Sequence, residues 1–196
     1  MALLALPLSF LFGALPFSVW IARLALRRDL RQIADGNPGA TNVARAGGLG
    51  WGTLALLLDM AKGALPVALA YLCLGWRGPV IVLLALAPAY GHAFSPFLGW
   101  RGGKALATTI GIWGGLTLGE AALMLGLFLI LWELLLDVDA WAVMLGMAGL
   151  LAHLILNQPD PLLLAVWAGN ALLLLWTHRQ DLRRRPALRG WWRRTF

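Results

Sequence analysis

Two polar, glycine-rich stretches hold most of the residues in this chain that could handle a phosphate. Residues 35–45 read DGNPGATNVAR, and residues 91–111 read GHAFSPFLGWRGGKALATTIG. In the first, Gly36, Pro38 and Gly39 favour a tight turn, and such turns can aim successive backbone N–H groups into an anion-binding concavity. Asn37, Thr41 and Asn42 add neutral donors and Arg45 a fixed positive charge, which together suit a phosphate monoester. An ordinary polar connector would use GNPG equally well. In the second stretch, Gly102 and Gly103 lead into Lys104, with Thr108 and Thr109 at the start of the helix that follows. A helix N-terminus flanked by glycine and lysine is a ready anion site, although the full Walker spacing is absent. His92 suits proton transfer or donation to phosphate, and equally a structural place beside an aromatic at a membrane boundary.

The elements that must position these stretches are membrane helices. The chain has 196 residues, is 60% hydrophobic and only 13% charged, and has a mean hydropathy of +0.75, far from the balance of a soluble domain. Apolar segments cover about residues 2–26, 49–74, 80–98, 105–118, 121–136, 140–156 and 162–176. The expectation is therefore an all-α integral membrane protein, a single polytopic domain over residues 1–196 with seven transmembrane helices. The later segments are short and need tilt or burial against neighbours. The first segment lacks the basic start of a secretory signal and reads as a retained helix.

Charge sets the orientation. Of the 16 basic residues, all but Lys62 and Arg77 fall around the two glycine-rich stretches, just after the first segment, or in the tail, residues 178–196. The positive-inside rule then puts the N-terminus outside and the C-terminus in the cytoplasm, with the loops near 35–45 and 99–111 on the tail's side. Trp191 and Trp192 fit an interfacial anchor beside anionic headgroups. Topology accounts for the net charge of +7 without nucleic acid. The single cysteine, Cys73, has no partner for a disulfide or thiol metal site, and no metal-ligand pattern occurs. Asp59 and Lys62, three apart, share a helix face and can neutralise each other. Glu133, Asp137, Asp139 and His153 form no recognisable constellation.

With these residues in view, the chain resembles the PlsY family of bacterial glycerol-3-phosphate acyltransferases over nearly its whole length. GNPGATNVAR is similar to the family's first motif, GHAFSPFLGWRGGKALATTIG to its second, and the tail from HRQDLRR to its third; DMAKG, residues 59–63, looks like its segment-two pattern. The resemblance implies a multi-pass enzyme of the bacterial cytoplasmic (inner) membrane. It would move a fatty acyl group from acyl phosphate to the 1-hydroxyl of glycerol 3-phosphate, giving lysophosphatidate and phosphate for phospholipid synthesis, with no cofactor and with membrane lipid around it.

By position, Lys104 and Arg45 would neutralise substrate phosphate, Asn37 and Asn42 would orient it, and Gly102 and Gly103 would let backbone N–H groups approach the acyl phosphate. Gly39, Thr41, Thr108, His178 and Asp181 complete the expected binding set. Asp35, His92 and Lys104 form the expected catalytic set, with Asp35 as a base toward the glycerol hydroxyl. The chain departs from the family pattern in four places. Asp35 replaces a serine, Ala105 stands where KGVAT has glycine, Asp181 replaces an asparagine, and the serine-containing loop between segments five and six reads LLLDVDAWA. Such a chain is either a divergent acyltransferase or a paralogue that binds or moves an anionic lipid or organic phosphate.

Overall fold

The computed structural model describes residues 2–190, so Trp191 and Trp192 lie outside the described residues. Apart from one isolated β-bridge, the described secondary structure is helical: α1 (Ala2–Ala14), α2 (Phe17–Trp20), α3 (Ala40–Gly47), α4 (Leu49–Ala68), α5 (Pro79–Ala93), α6 (Leu106–Thr117), α7 (Glu120–Leu135), α8 (Asp139–Asn157) and α9 (Pro161–His178). Six of the seven expected apolar segments appear at nearly the expected limits. Among the described residues, five stretches are long and apolar enough to cross a membrane: Leu4–Ala25, Leu49–Cys73, Pro79–Leu98, Asp139–Asn157 and Pro161–His178.

The first segment is broken rather than continuous. Pro16 has no N–H to give, so the helix stops at Ala14 and resumes at Phe17. The carbonyls freed at the break are satisfied from other parts of the chain: Ser95 Oγ, in the turn after α5, donates to Ala14 O (2.7 Å) and Lys62 Nζ of α4 to Leu15 O (2.9 Å). Lys62 also pairs with Asp59 at 2.7 Å, and Ser18 Oγ donates to the other Asp59 oxygen at 2.8 Å. Both charges are 1% exposed. The intramembrane pair thus joins α4 to the interrupted first segment.

Glycines set the tightest helix contacts. A Cβ on Gly13 would collide with the Pro88 backbone and one on Gly91 with the carbonyl of Phe10, which locks α1 against α5. Gly63 meets the Thr108 carbonyl in the same way, and Gly111 that of Met60, so α4 and α6 approach equally closely. The main core, with Trp113, Leu125, Leu150 and Leu174 fully or almost fully buried, lies among α4 to α9. Outward-facing Leu57, Leu83, Leu123, Ile130 and Leu172 leave an apolar surface suited to lipid.

The junctions sort to two ends. Residues around 35–45, 104, 133–139 and 178–189 contact one another at one end, while Glu120 meets His153 (3.2 Å) and Gln158 at the other.

Candidate active site

The polar end holds a cavity of about 200 Å³ lined by residues from α3, α4, α5, α6, α7, α8 and α9. Its first wall is the 35–45 stretch, which is a turn followed by a helix rather than a loop throughout. Gly36 takes φ 68°, and α3 starts after Gly39. Asn42, 1% exposed, ties the turn together: its amide nitrogen reaches Asp35 Oδ1 (2.8 Å), Asn37 O (3.0 Å) and Ile33 O (3.1 Å). Its carbonyl oxygen accepts from Arg45 Nη1 at 2.9 Å, which aims the guanidinium. Asn37, Gly39, Thr41 and Arg45 all line the cavity.

Lys104 is the junction of the three polar stretches. Its ammonium donates to Asp35 Oδ2 and to Asp181 Oδ2, both at 2.8 Å. Burial alone would raise the Asp35 carboxyl. The hydrogen bonds from Lys104, Asn42 and the Asn37 N–H, together with the Lys104 charge, outweigh it and bring the group from 3.8 to about 2. Burial pulls Lys104 down, and its bonds to Asp181 and Asp35 with their charges more than reverse that, leaving it above its ordinary value. Near neutral pH Asp35 is therefore an ionised partner of Lys104. A carboxylate of that pKa has little drive to take a hydroxyl proton, which argues against its expected role as a base.

The second stretch differs most from its sequence reading. The Gly102 N–H donates to Ala93 O (2.9 Å) and the Gly103 N–H to His92 O (3.1 Å), closing the end of α5. Neither donor is left for a substrate. These residues are glycines because a Cβ on Gly102 would meet the His92 carbonyl and one on Gly103 the His92 ring. Thr108 and Thr109 are completely buried, Thr108 against Gly63 of α4, and neither lines the cavity. The expected binding roles of Gly102, Gly103 and Thr108 are thus corrected to packing roles. Ala105 does line the cavity, and it sits at φ 66°, a left-handed conformation that favours glycine. Glycine at this position would relieve backbone strain rather than give close approach.

His92 is 7% exposed, lines the cavity and lies 3.9 Å from Asp59. His178, at the end of α9, also lines it. Its Nδ1 is 2.8 Å from Leu174 O, and a carbonyl can only accept, so Nδ1 carries the proton. Glu133 of α7, just before the LLLDVDAWA segment, and Asp139 of α8, within it, also line the cavity although the sequence-derived site left them out, and both face Arg189 of the tail. The available signal was acidic residues at a helix junction together with an unassigned basic tail.

Comparison with known proteins bears on what this cavity serves. The glycerol-3-phosphate acyltransferase family model matches residues 3–187. The chain belongs to that family. It is 38% identical to glycerol-3-phosphate acyltransferase 1 of Thermotoga maritima, covering 90% of this chain and 94% of the relative. With glycerol-3-phosphate acyltransferase 1 of Deinococcus radiodurans it shares 41% identity over 95% and 92% of the two chains. The fold matches the crystal structure of PlsY, an integral membrane glycerol 3-phosphate acyltransferase in its glycerol 3-phosphate form, with a TM-score of 0.85 and 29% identity, covering 100% of this chain and 98% of that one. A lysophosphatidic acid form of PlsY matches at 0.82 and 28% identity.

Proposed function

We propose that this acyltransferase moves a fatty acyl group from acyl phosphate to the 1-hydroxyl of glycerol 3-phosphate, from the cytoplasmic face of a bacterial inner membrane. The observation that carries the reading is the meeting of all three polar stretches at Lys104, in a chain that matches a PlsY solved in its glycerol 3-phosphate form along its whole length. A cavity that concentrates Arg45, Lys104 and Asn37 suits substrates that carry phosphate.

The span count of seven, with the N-terminus outside, is supported by the alternation of junctions. Every second junction among the helices joins the cavity end, and Glu120, His153 and Gln158 meet at the opposite end. α6 and α7, at 12 and 16 residues, are short for a bilayer, at about 18 and 24 Å, and α6 is largely enclosed by its neighbours.

In the reaction, Arg45 and Lys104 hold phosphate oxygens, with Asp35 and Asp181 keeping the ammonium in place until substrate arrives. The hydroxyl oxygen attacks the acyl carbonyl carbon as its proton passes to His178 Nε2. That atom has no protein partner among the described residues, and Nδ1 is already fixed as a donor. The bond from acyl carbon to phosphate oxygen breaks, phosphate leaves with the electron pair, and the imidazolium returns the proton to it. The chemistry relies on positioning and charge stabilisation, because phosphate is a good leaving group.

Purified protein given acyl phosphate and glycerol 3-phosphate is expected to release lysophosphatidate and phosphate in equal amounts; release of phosphate alone, or of neither product, would refute the reading. His178→Gln is expected to lower kcat by about 10²- to 10⁴-fold with KM little changed. A kcat close to wild type would exclude His178 as the base.

A further inference from the structure

The cavity holds more negative charge than an enzyme for anionic substrates should tolerate. Besides Asp35 and Asp59, which are paired with Lys104 and Lys62, it is lined by Glu133 and Asp139, and no cation on the helices lining the cavity pairs with these last two among the described residues. Their partner comes from the tail. Arg189 Nη2 lies 3.0 Å from Glu133 Oε2 and 3.8 Å from Asp139 Oδ1. The same side chain donates through Nε to Leu136 O at 2.7 Å. Its backbone is fastened as well: Arg189 N–H donates to Leu135 O (3.0 Å), Asp137 N–H donates to Ala187 O (2.8 Å), and Leu136 and Leu188 form an antiparallel bridge. Upstream, Trp141 Nε1 donates to Arg184 O at 2.8 Å. The tail is thus a short strap laid along the α7–α8 junction, and Arg189 is where it meets two residues that line the cavity.

We infer that Arg189 is a positioning and specificity-determining residue. It offsets the charge of Glu133 and, more loosely, that of Asp139, which leaves the cavity better able to accept a doubly charged phosphate monoester, and it holds the start of α8 in place while doing so. Without it, two carboxylates at the cavity edge face the incoming phosphate, and like charges at a partly buried site repel more strongly than they would in bulk water. A clamp that is only mechanical would make no use of the sign of the charges it touches. Acting on the charge gives a different signature, because the damage from losing Arg189 should be undone by removing the two acids as well. The inference rests on the proposed binding of glycerol 3-phosphate in this cavity.

The test compares wild type, Arg189→Gln, and Arg189→Gln combined with Glu133→Gln and Asp139→Asn. Arg189→Gln is expected to raise the KM for glycerol 3-phosphate about tenfold with kcat within about threefold, and the triple variant to bring KM back to within about threefold of wild type. Raising the salt concentration should shrink the Arg189→Gln defect, because screening weakens the repulsion. An unchanged KM in Arg189→Gln, or a triple variant as impaired as the single one, overturns the inference. If Arg189→Gln does not yield folded protein, the triple variant, which has no unpaired charge, still decides it by folding and binding normally or by failing. If wild type shows no turnover, the proposed function fails separately, and calorimetric Kd values for glycerol 3-phosphate across the same variants decide the role of Arg189.

Discussion

Two lysines, Lys62 and Lys104, each sit among carboxylates near the same cavity, and they serve opposite ends. Lys62 is 1% exposed and has fixed partners, Asp59 and the Leu15 carbonyl, which close a helix break. The Lys104 side chain is 29% exposed, lines the cavity and shares its ammonium between Asp35 and Asp181, whose side chains are 41% and 38% exposed. Partners that exposed can be exchanged for phosphate at little cost; a backbone carbonyl orphaned in the membrane cannot. A lysine with carboxylate partners is therefore structural or substrate-directed according to what replaces those partners when they let go.

That contrast can be broken most severely at Lys62. Lys62→Met leaves Asp59 as a buried unpaired charge and Leu15 O without its donor, and is expected to cost about 3–5 kcal/mol of stability, measured by thermal unfolding in detergent. Adding Asp59→Asn should recover part of the loss. If Lys62→Met melts with wild type, the structural assignment is wrong.

At Lys104 the expectation reverses. Lys104→Ala should lower kcat/KM by about 10²- to 10³-fold while the melting temperature changes little. A large loss of stability with activity per folded molecule preserved would erase the distinction between the two lysines.

Asp35→Asn sharpens it further. With Asp35 as a partner of Lys104, kcat should stay within about threefold of wild type, whereas removing a true base would lower it about 10²-fold or more. The pH dependence points the same way. The folded pKa of Asp35 is depressed to about 2, so its contribution to stability is present above the ordinary carboxylate value and fades as pH falls toward 2. That of Lys104 is raised, so its contribution holds below the ordinary lysine value and is lost only as pH rises through the raised one. Between about pH 5 and 9 neither group should add a limb to the kcat/KM profile. A limb in that range that disappears in Asp35→Asn would restore the base role.

The smallest effect is expected beside Lys104. Ala105→Gly relieves the left-handed strain and should stabilise the protein by about 1 kcal/mol, with activity retained. Destabilisation would mean that the methyl group's packing outweighs the strain.

Local pattern was enough to set the helices and their limits from residue 49 onward, because apolar runs bounded by Gly, Pro and charged residues act within a few turns of chain. Residue types alone also suggested phosphate chemistry for Asn37, Arg45 and Lys104, whereas the Asn42 amide, read the same way, is spent on the turn and on Arg45. How those groups are used was settled by packing. The N–H groups of Gly102 and Gly103 go to the end of α5, and Asp35 is tied to a lysine 69 positions away. Glu133 and Asp139 line the cavity and meet an arginine 56 and 50 residues further on. An element is legible in sequence because its hydrogen bonds close within it, whereas a donor or charge left over finds its partner in the folded chain, among residues that no sequence window contains.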